Sequence, residues 1–327
     1  MKAQHDKVIK WGIIGLGRIA KKFAKDLLTI ENAQLYAVAS RSQDKADTFA
    51  KSFKAAKAYD SYEALAKDET IDAVYIATPH SLHKSNAILC LNHKKAVLCE
   101  KPFAMNAKEV YEMIDIAKTN KVLLMEALWT YFLPHYQYVL QLIKNKTFGN
   151  VLKVEADFGF TRPFDDTSRL FNKNLGGGSL LDIGIYPIFS ALTTLGIPDD
   201  IEAQCTTFDN GADATCDMVF NYNSGSTAVL KSSLIEDTPT TCTIYCDTAT
   251  IKLNTQFHAP TSVTIIKDGK DETIDFKGDK IGYYYETVHF NALLRAGKTE
   301  SDIMSFDFSK TLIETLDKVR QKINLEY

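Results

Sequence analysis

The stretch Lys10-Trp11-Gly12-Ile13-Ile14-Gly15-Leu16-Gly17-Arg18-Ile19-Ala20 reads as a strand, a glycine-rich turn and a helix that continues through Lys22-Phe23-Ala24 to Leu28. The order matters more than the motif: G-x-G-x-x-A gains force when it directly follows a strand, opens a helix and is followed by alternating strand and helix patterns. Gly15 is expected to make the tight turn, Gly17 to let backbone approach a pyrophosphate, and Ala20 to let helix pack closely on strand. Gly15, Leu16, Gly17, Arg18 and Ile19 are therefore the predicted phosphate-binding residues of a dinucleotide site.

Outward from this corner, the second strand, Gln34 to Ala39, ends in Ser40-Arg41-Ser42 and not in the acid that binds a ribose 2′-hydroxyl. A carboxylate there repels a 2′-phosphate, whereas Ser40 and Arg41 offer it charge-assisted hydrogen bonds, so the sequence favours NADP over NAD. A helix over about 43–53, a short strand near Ala58, a helix over 62–67 and the strand Asp72 to Ala77 follow, the last stopping at Thr78-Pro79-His80. The run Ala96 to Cys99 then delivers Glu100-Lys101-Pro102. Ligands of open α/β sheets bind at the carboxyl ends of strands. Proline holds Lys101 out of the helical region, which makes the lysine a positioned cation. Asn106 to Glu109 resembles a capping box, and Val122 to Met125 supplies one more strand.

From Leu152 the rhythm changes to period two, with strands following one another between turn signals such as Asn223-Ser224-Gly225 and Asp268-Gly269. This pattern predicts an antiparallel sheet, interrupted by Gly176-Gly177-Gly178-Ser179-Leu180-Leu181-Asp182-Ile183-Gly184-Ile185-Tyr186-Pro187. The run reads as a flexible loop entering a helix, with Asp182 and Tyr186 on one face and Gly184 leaving room for a ligand. Helices from about Tyr284 and over 308–323 close the chain. The fold class expected is α/β: an N-terminal dinucleotide-binding domain (1–127) and a C-terminal α+β domain with an open, mostly antiparallel sheet (128–327).

The chain has 327 residues, enough for two cores. A net charge of −3 gives no electrostatic footprint for nucleic acid or anionic membrane. No apolar leader precedes Val8, and no later run is read as reaching the roughly 20 residues that span a bilayer, so a cytoplasmic protein is expected. Six cysteines without a CxxC pair read as structural thiols. His80 and His83 find no further ligand at metal spacing, so no metal is expected.

GLGRIA near the start, Glu100-Lys101-Pro102 in the middle and the GGGSLLDIGIY run together resemble the glucose-fructose oxidoreductase/inositol dehydrogenase/rhizopine catabolism (Gfo/Idh/MocA) family over nearly the whole chain. With Tyr186 and Glu126-Ala127-Leu128-Trp129-Thr130, the sequence is most similar to the dihydrodiol dehydrogenase and NADP-dependent D-xylose dehydrogenase branch. The resemblance implies a Rossmann domain, an active site between the two domains, and oxidation or reduction of a secondary alcohol of a sugar or cyclic diol. It implies Lys101 and Tyr186 as the catalytic pair, with Asp182 beside them. It adds Thr78, Pro79, His83, Glu100 and Lys101 to the cofactor site, and Trp129, Asp182 and Tyr186 to the substrate site. It further implies a family proline, often preceded by a cis bond, at Pro102. The chain departs from the branch at Tyr131, where arginine is common; Arg162 or Arg169 is the expected substitute. The other reading, a non-catalytic NADP- or sugar-sensing regulator of the same fold, is disfavoured because Lys101, Asp182 and Tyr186 are all present. An open sheet face predicts a homodimer or higher homo-oligomer.

Overall fold

The computed structural model describes residues 7–327. Residues 1–6, part of the stretch read as lacking an apolar leader, lie outside them. The chain divides into two units, residues 1–129 with 280–310 and residues 130–279 with 311–327.

The first unit is built on parallel strands β1 (Ile9–Ile14), β2 (Ala33–Ala39), β3 (Lys57–Tyr59), β4 (Ala73–Ile76), β5 (Ala96–Glu100) and β6 (Leu124–Ala127), in spatial order β3-β2-β1-β4-β5-β6. The central strands β4 and β5 are buried at every residue, as parallel strands covered on both faces must be. The order reverses between β1 and β4, and the crevice for a ligand opens there. The connecting helices are α1 (Arg18–Leu27), α2 (Gln43–Phe53), α3 (Tyr62–Lys67), α4 (His83–Asn92) and α5 (Ala107–Asn120). Side chains set several of their starts: Ser42 accepts from Lys45 N, Ser61 from Ala64 N and Asn106 from Glu109 N. The return bond of the expected capping box is shifted by one residue, since Glu109 Oε2 accepts from Met105 N at 3.2 Å.

The helix expected from Tyr284 forms as Tyr283–Arg295, preceded in chain order by α6 (Pro134–Lys144) and α7 (Ile185–Leu195); we number it α8. Sequence reading put it in the second domain, but it packs in the first unit. Trp11 Nε1 donates to Asn291 Oδ1 at 3.2 Å, and Asp26 of α1 accepts from Ile281 N, Gly282 N and Tyr284 N at 2.9–3.1 Å. The Asp26 carboxylate thus serves as the N-terminal cap that Gly282 lacks.

The second unit carries an eight-stranded sheet of β7 (Val151–Gly159), β8 (Asp200–Thr207), β9 (Asp213–Asn221), β10 (Thr227–Ser233), β11 (Cys242–Cys246), β12 (Thr250–Leu253), β13 (Ser262–Lys267) and β14 (Lys270–Asp275). Its order is β14-β13-β12-β11-β7-β10-β9-β8, antiparallel throughout except where β10 runs parallel to β7. α7 lies on one face, against β7 and β10. The opposite face forms a groove of about 570 Å³ whose lining includes Glu155, Asp217, Val219, Val229, Lys231 and Thr243. Contrary to the sequence expectation, residues 173–195 are long and apolar enough to cross a membrane, but 94% of their apolar window is buried inside the protein. A last helix, α9 (Phe306–Lys322), crosses from one unit to the other.

Candidate active site

In the first unit the glycine turn follows β1 directly. Gly15 has φ +87°, and a Cβ there would lie 2.7 Å from the Ala77 carbonyl and Thr78 N, so both conformation and space demand glycine. Gly17 caps α1 with no side-chain bond, and a Cβ on it would meet nothing within 4 Å. The first turn of a ten-residue helix therefore opens onto free space, flanked by half-buried Leu16 and Ile19 and exposed Arg18. Uncapped N–H groups with room before them fit a pyrophosphate.

At the end of β2, Ser40 Oγ accepts from Ser42 N at 3.3 Å, while Ser42 is taken up as the α2 cap. Arg41 is exposed and adjoins the Tyr62 phenol; burial pushes that phenol up, and the Arg41 guanidinium pulls it partly back. Thr78 is buried at the exit of β4, where its hydroxyl accepts from Asn86 Nδ2 at 3.1 Å. Pro79 leads a short 3₁₀ turn, His80–Leu82. His83 is fully buried, with Nε2 2.9 Å from Thr78 O and Nδ1 2.9 Å from Pro102 O, so its nitrogens face backbone.

At the end of β5, Glu100 accepts from the Tyr75 hydroxyl and, at 3.2 Å, from Lys101 N. The Lys101–Pro102 peptide is cis. The neighbouring strand contributes Glu126, which accepts from Phe103 N at 3.0 Å and is pushed up to about 7 by burial. A third carboxyl, Glu286 of α8, is fully buried with no hydrogen-bond partner on either oxygen among the described residues. Burial first, then Glu100, hold it well above the usual carboxylate range. Trp129 stacks on Tyr283, ring centroids 4.7 Å apart.

These buried acids give the fold a pH dependence. Glu126 titrates higher folded than unfolded, so its contribution is complete below about pH 4.3 and lost as pH rises through about 7. Glu126→Gln is expected to remove that slope, leaving the native protein up to about 3 kcal/mol less stable at pH 8 than at pH 5 relative to the variant. Urea midpoints at both pH values check this; parallel pH dependence of the two proteins would count against it.

In the second unit the triple glycine proves to be close-packed, not flexible. Cβ atoms would fall 2.6 Å from Arg169 O at Gly177 and 2.0 Å from Asp213 Oδ1 at Gly178. Asp213 is fully buried and anchors the segment, accepting from Leu180 N at 2.6 Å, Ser179 Oγ at 2.8 Å and Tyr327 OH at 3.2 Å. The next turn, Leu180–Gly184, is a π-helix running into α7, a form frequent at functional sites. Pro187 lies just after the π-helical turn, within a helical run that continues to Leu195, so it does not end the helix. Gly184 does not make room for a ligand: its Cβ would sit 2.9 Å from Ser232 Oγ of β10, so it serves helix-on-sheet packing.

Asp182 is buried, with Oδ1 3.3 Å from Arg169 Nη1. Of the two candidate arginines, Arg169 therefore meets the acid, while Arg162 lies 5.7 Å over the Phe160 ring. Tyr131 packs edge-on against Phe189 of α7 at 5.1 Å. The Tyr186 ring lies 5.6 Å from Phe158 and 5.1 Å from His258, which itself stacks on Phe158 at 4.2 Å. Sequence reading missed His258, Asp213 and Tyr327, since a lone histidine between two short strands and a terminal tyrosine carry no local motif.

The family described as an oxidoreductase family with an NAD-binding Rossmann fold matches residues 9–128, and the GFO/IDH/MocA C-terminal domain matches residues 136–252. The chain is 36% identical to the NADP(+)-dependent scyllo-inositol 2-dehydrogenase of Bacillus subtilis, covering 98% of each. It is 34% identical to the trans-1,2-dihydrobenzene-1,2-diol dehydrogenase of Xenopus tropicalis, covering 97% of this chain and 99% of that one. Its fold matches that of KijD10, a 3-ketoreductase from Actinomadura kijaniata solved with NADP and TDP-benzene, with TM-score 0.86 at 24% identity over 96% of this chain and 98% of that one.

Proposed function

The chain belongs to the GFO/IDH/MocA oxidoreductase family, and from that premise we propose that it moves a hydride between NADP and a secondary alcohol or carbonyl of a cyclic polyol or diol. The observation that carries this reading is the Gly15–Gly17 corner, where glycine is obligatory at one position and an uncapped helix start opens at the other. When bound, the dinucleotide supplies the hydride acceptor or donor. The chain's residues do the rest: Tyr186 takes or returns the hydroxyl proton, Lys101 favours its phenolate by charge, and Asp182, fixed by Arg169, orients the substrate. The Phe158–His258 stack beside Tyr186 offers a flat wall for a ring substrate. The full-length relatives act on a cyclic polyol and a cyclic diol, which narrows the class. Six free cysteines suit the cytoplasm. The experiment is NADPH absorbance with purified protein against inositols, cyclic diols and aldoses, and a flat trace with all of them would count against turnover.

NADP is expected to bind more tightly than NAD. Arg41→Ala removes a charged contact worth roughly 1.5–3 kcal/mol, so NADP affinity should fall about 10–150-fold while NAD affinity barely moves. Titration of both proteins with both cofactors checks this, and equal native affinities would sink it.

The open sheet face, with Val229 42% exposed among Glu155, Asp217 and Lys231, is proposed as a twofold contact between copies of the chain. Light scattering is expected to give at least twice 36.6 kDa at micromolar concentration; a monomer there would refute the assignment.

A further inference from the structure

His83, the first residue of α4, is fully buried and has a carbonyl oxygen 2.9 Å from each ring nitrogen. A carbonyl oxygen carries no proton, so each contact is a hydrogen bond only if the nitrogen donates. Neutral imidazole has one N–H. Its second contact would then oppose two lone pairs at hydrogen-bond distance in a fully buried site, an unfavourable arrangement that a second N–H removes. We infer that His83 is held as an imidazolium, a buried cation that ties the segment after β4 to the segment after β5 and thereby positions the backbone carrying Lys101.

The tie joins Thr78, whose backbone N lies against the glycine turn, to Pro102, the residue after Lys101. Two loops that frame the crevice are thus held by one ring, and both bonds are of the stronger, charge-assisted kind. Opposing groups are present. The ring sits at the first turn of α4, where the helix dipole disfavours a cation, and Lys101 adjoins Pro102. The His80 ring lies 5.7 Å away, and Lys84 of α4 is engaged by Glu109 and Glu112 of α5. Of the nearby carboxyls, Glu100 at the end of β5 accepts from Lys101 N, and Glu126 of β6 takes the N–H next after Pro102 but, pushed up to about 7 by burial, is fully charged only above that pH. Burial itself disfavours the charged ring, and the helix terminus adds less than one charged hydrogen bond; two such bonds stand against them.

The role as a positioning residue rests on the proposed function of Lys101; the protonation state does not. The test is a long-range ¹H–¹⁵N correlation spectrum of the full chain labelled at histidine, without cofactor. The His83 ring is assigned by its disappearance in His83→Gln or, should that variant not fold, by its contacts to Pro102 and Thr78. The expected result is one imidazole protonated at both nitrogens from pH 6 to pH 8. A bare ring nitrogen at pH 7 overturns the inference. In turnover, His83→Gln replaces two donor nitrogens by one and carries no charge, so kcat should fall about 10–100-fold with little change in KM for the alcohol. A near-native kcat overturns the positioning role. A doubly protonated His83 in a protein that turns over no alcohol with NADP leaves the cation standing and removes the proposed reaction; a bare nitrogen with full turnover does the reverse.

Discussion

Tyr186→Phe is expected to lower the rate of alcohol oxidation by about 10²–10⁴-fold, the usual cost of losing a general acid–base group. The substitution removes one hydroxyl and keeps the ring, which lies 5.6 Å from Phe158 and 5.1 Å from His258. Fold and helix position should persist with the ring in place. α7 is held from elsewhere, by Asp213 at its π-helical start, by the Gly184 contact with Ser232, and by a hydrogen bond from Ser190 to the Tyr186 carbonyl. NADPH affinity, measured by fluorescence titration, should match the native protein, and the deficit should appear in single-turnover hydride transfer. If the variant turns over at near-native rate, the proton belongs to another group. Asp182 and His258 are then the candidates; His83 is not, because both its nitrogens face backbone carbonyls.

What the sequence disclosed and what it hid divide by distance along the chain. The Gly15–Gly17 turn was legible because its requirement is local: a strand, a left-handed residue and a helix start within eleven positions. The strands of the second unit were legible because one buried face imposes period two on each. Asp213 escaped notice because it works on Leu180, 33 residues earlier, and on Tyr327, 114 later. α8 was assigned to the wrong unit for the same reason, its anchors at Trp11 and Asp26 lying 280 and more than 250 residues away. The triple glycine misled in another way. Glycine marks both flexible loops and places where backbone must approach other atoms, and composition alone does not separate them.

Lys101→Met should fail differently from Tyr186→Phe, and the difference tests the proposed pairing. Methionine keeps the apolar stem and loses the charge, while the backbone of residue 101 remains fixed by the bond from its N–H to Glu100. A unit charge about 4 Å from a phenol oxygen favours the phenolate by up to roughly 4 kcal/mol at an effective dielectric of about 20, or about 3 pKa units before desolvation reclaims part of it. The expected outcome is an oxidation rate at pH 7 lower by about 10–10³-fold, with the optimum moved upward and much of the loss recovered as hydroxide removes the phenolic proton. A lysine that served only to hold the cofactor would instead raise the KM for NADP and leave the pH profile in place. The two side chains act on one proton, so the double variant should lose far less than the product of the single losses. The decisive measurement is kcat against pH for the native chain and the three variants, with NADPH affinity alongside. Single losses that multiply in the double variant, with no shift of the optimum in Lys101→Met, would show that the two residues act independently.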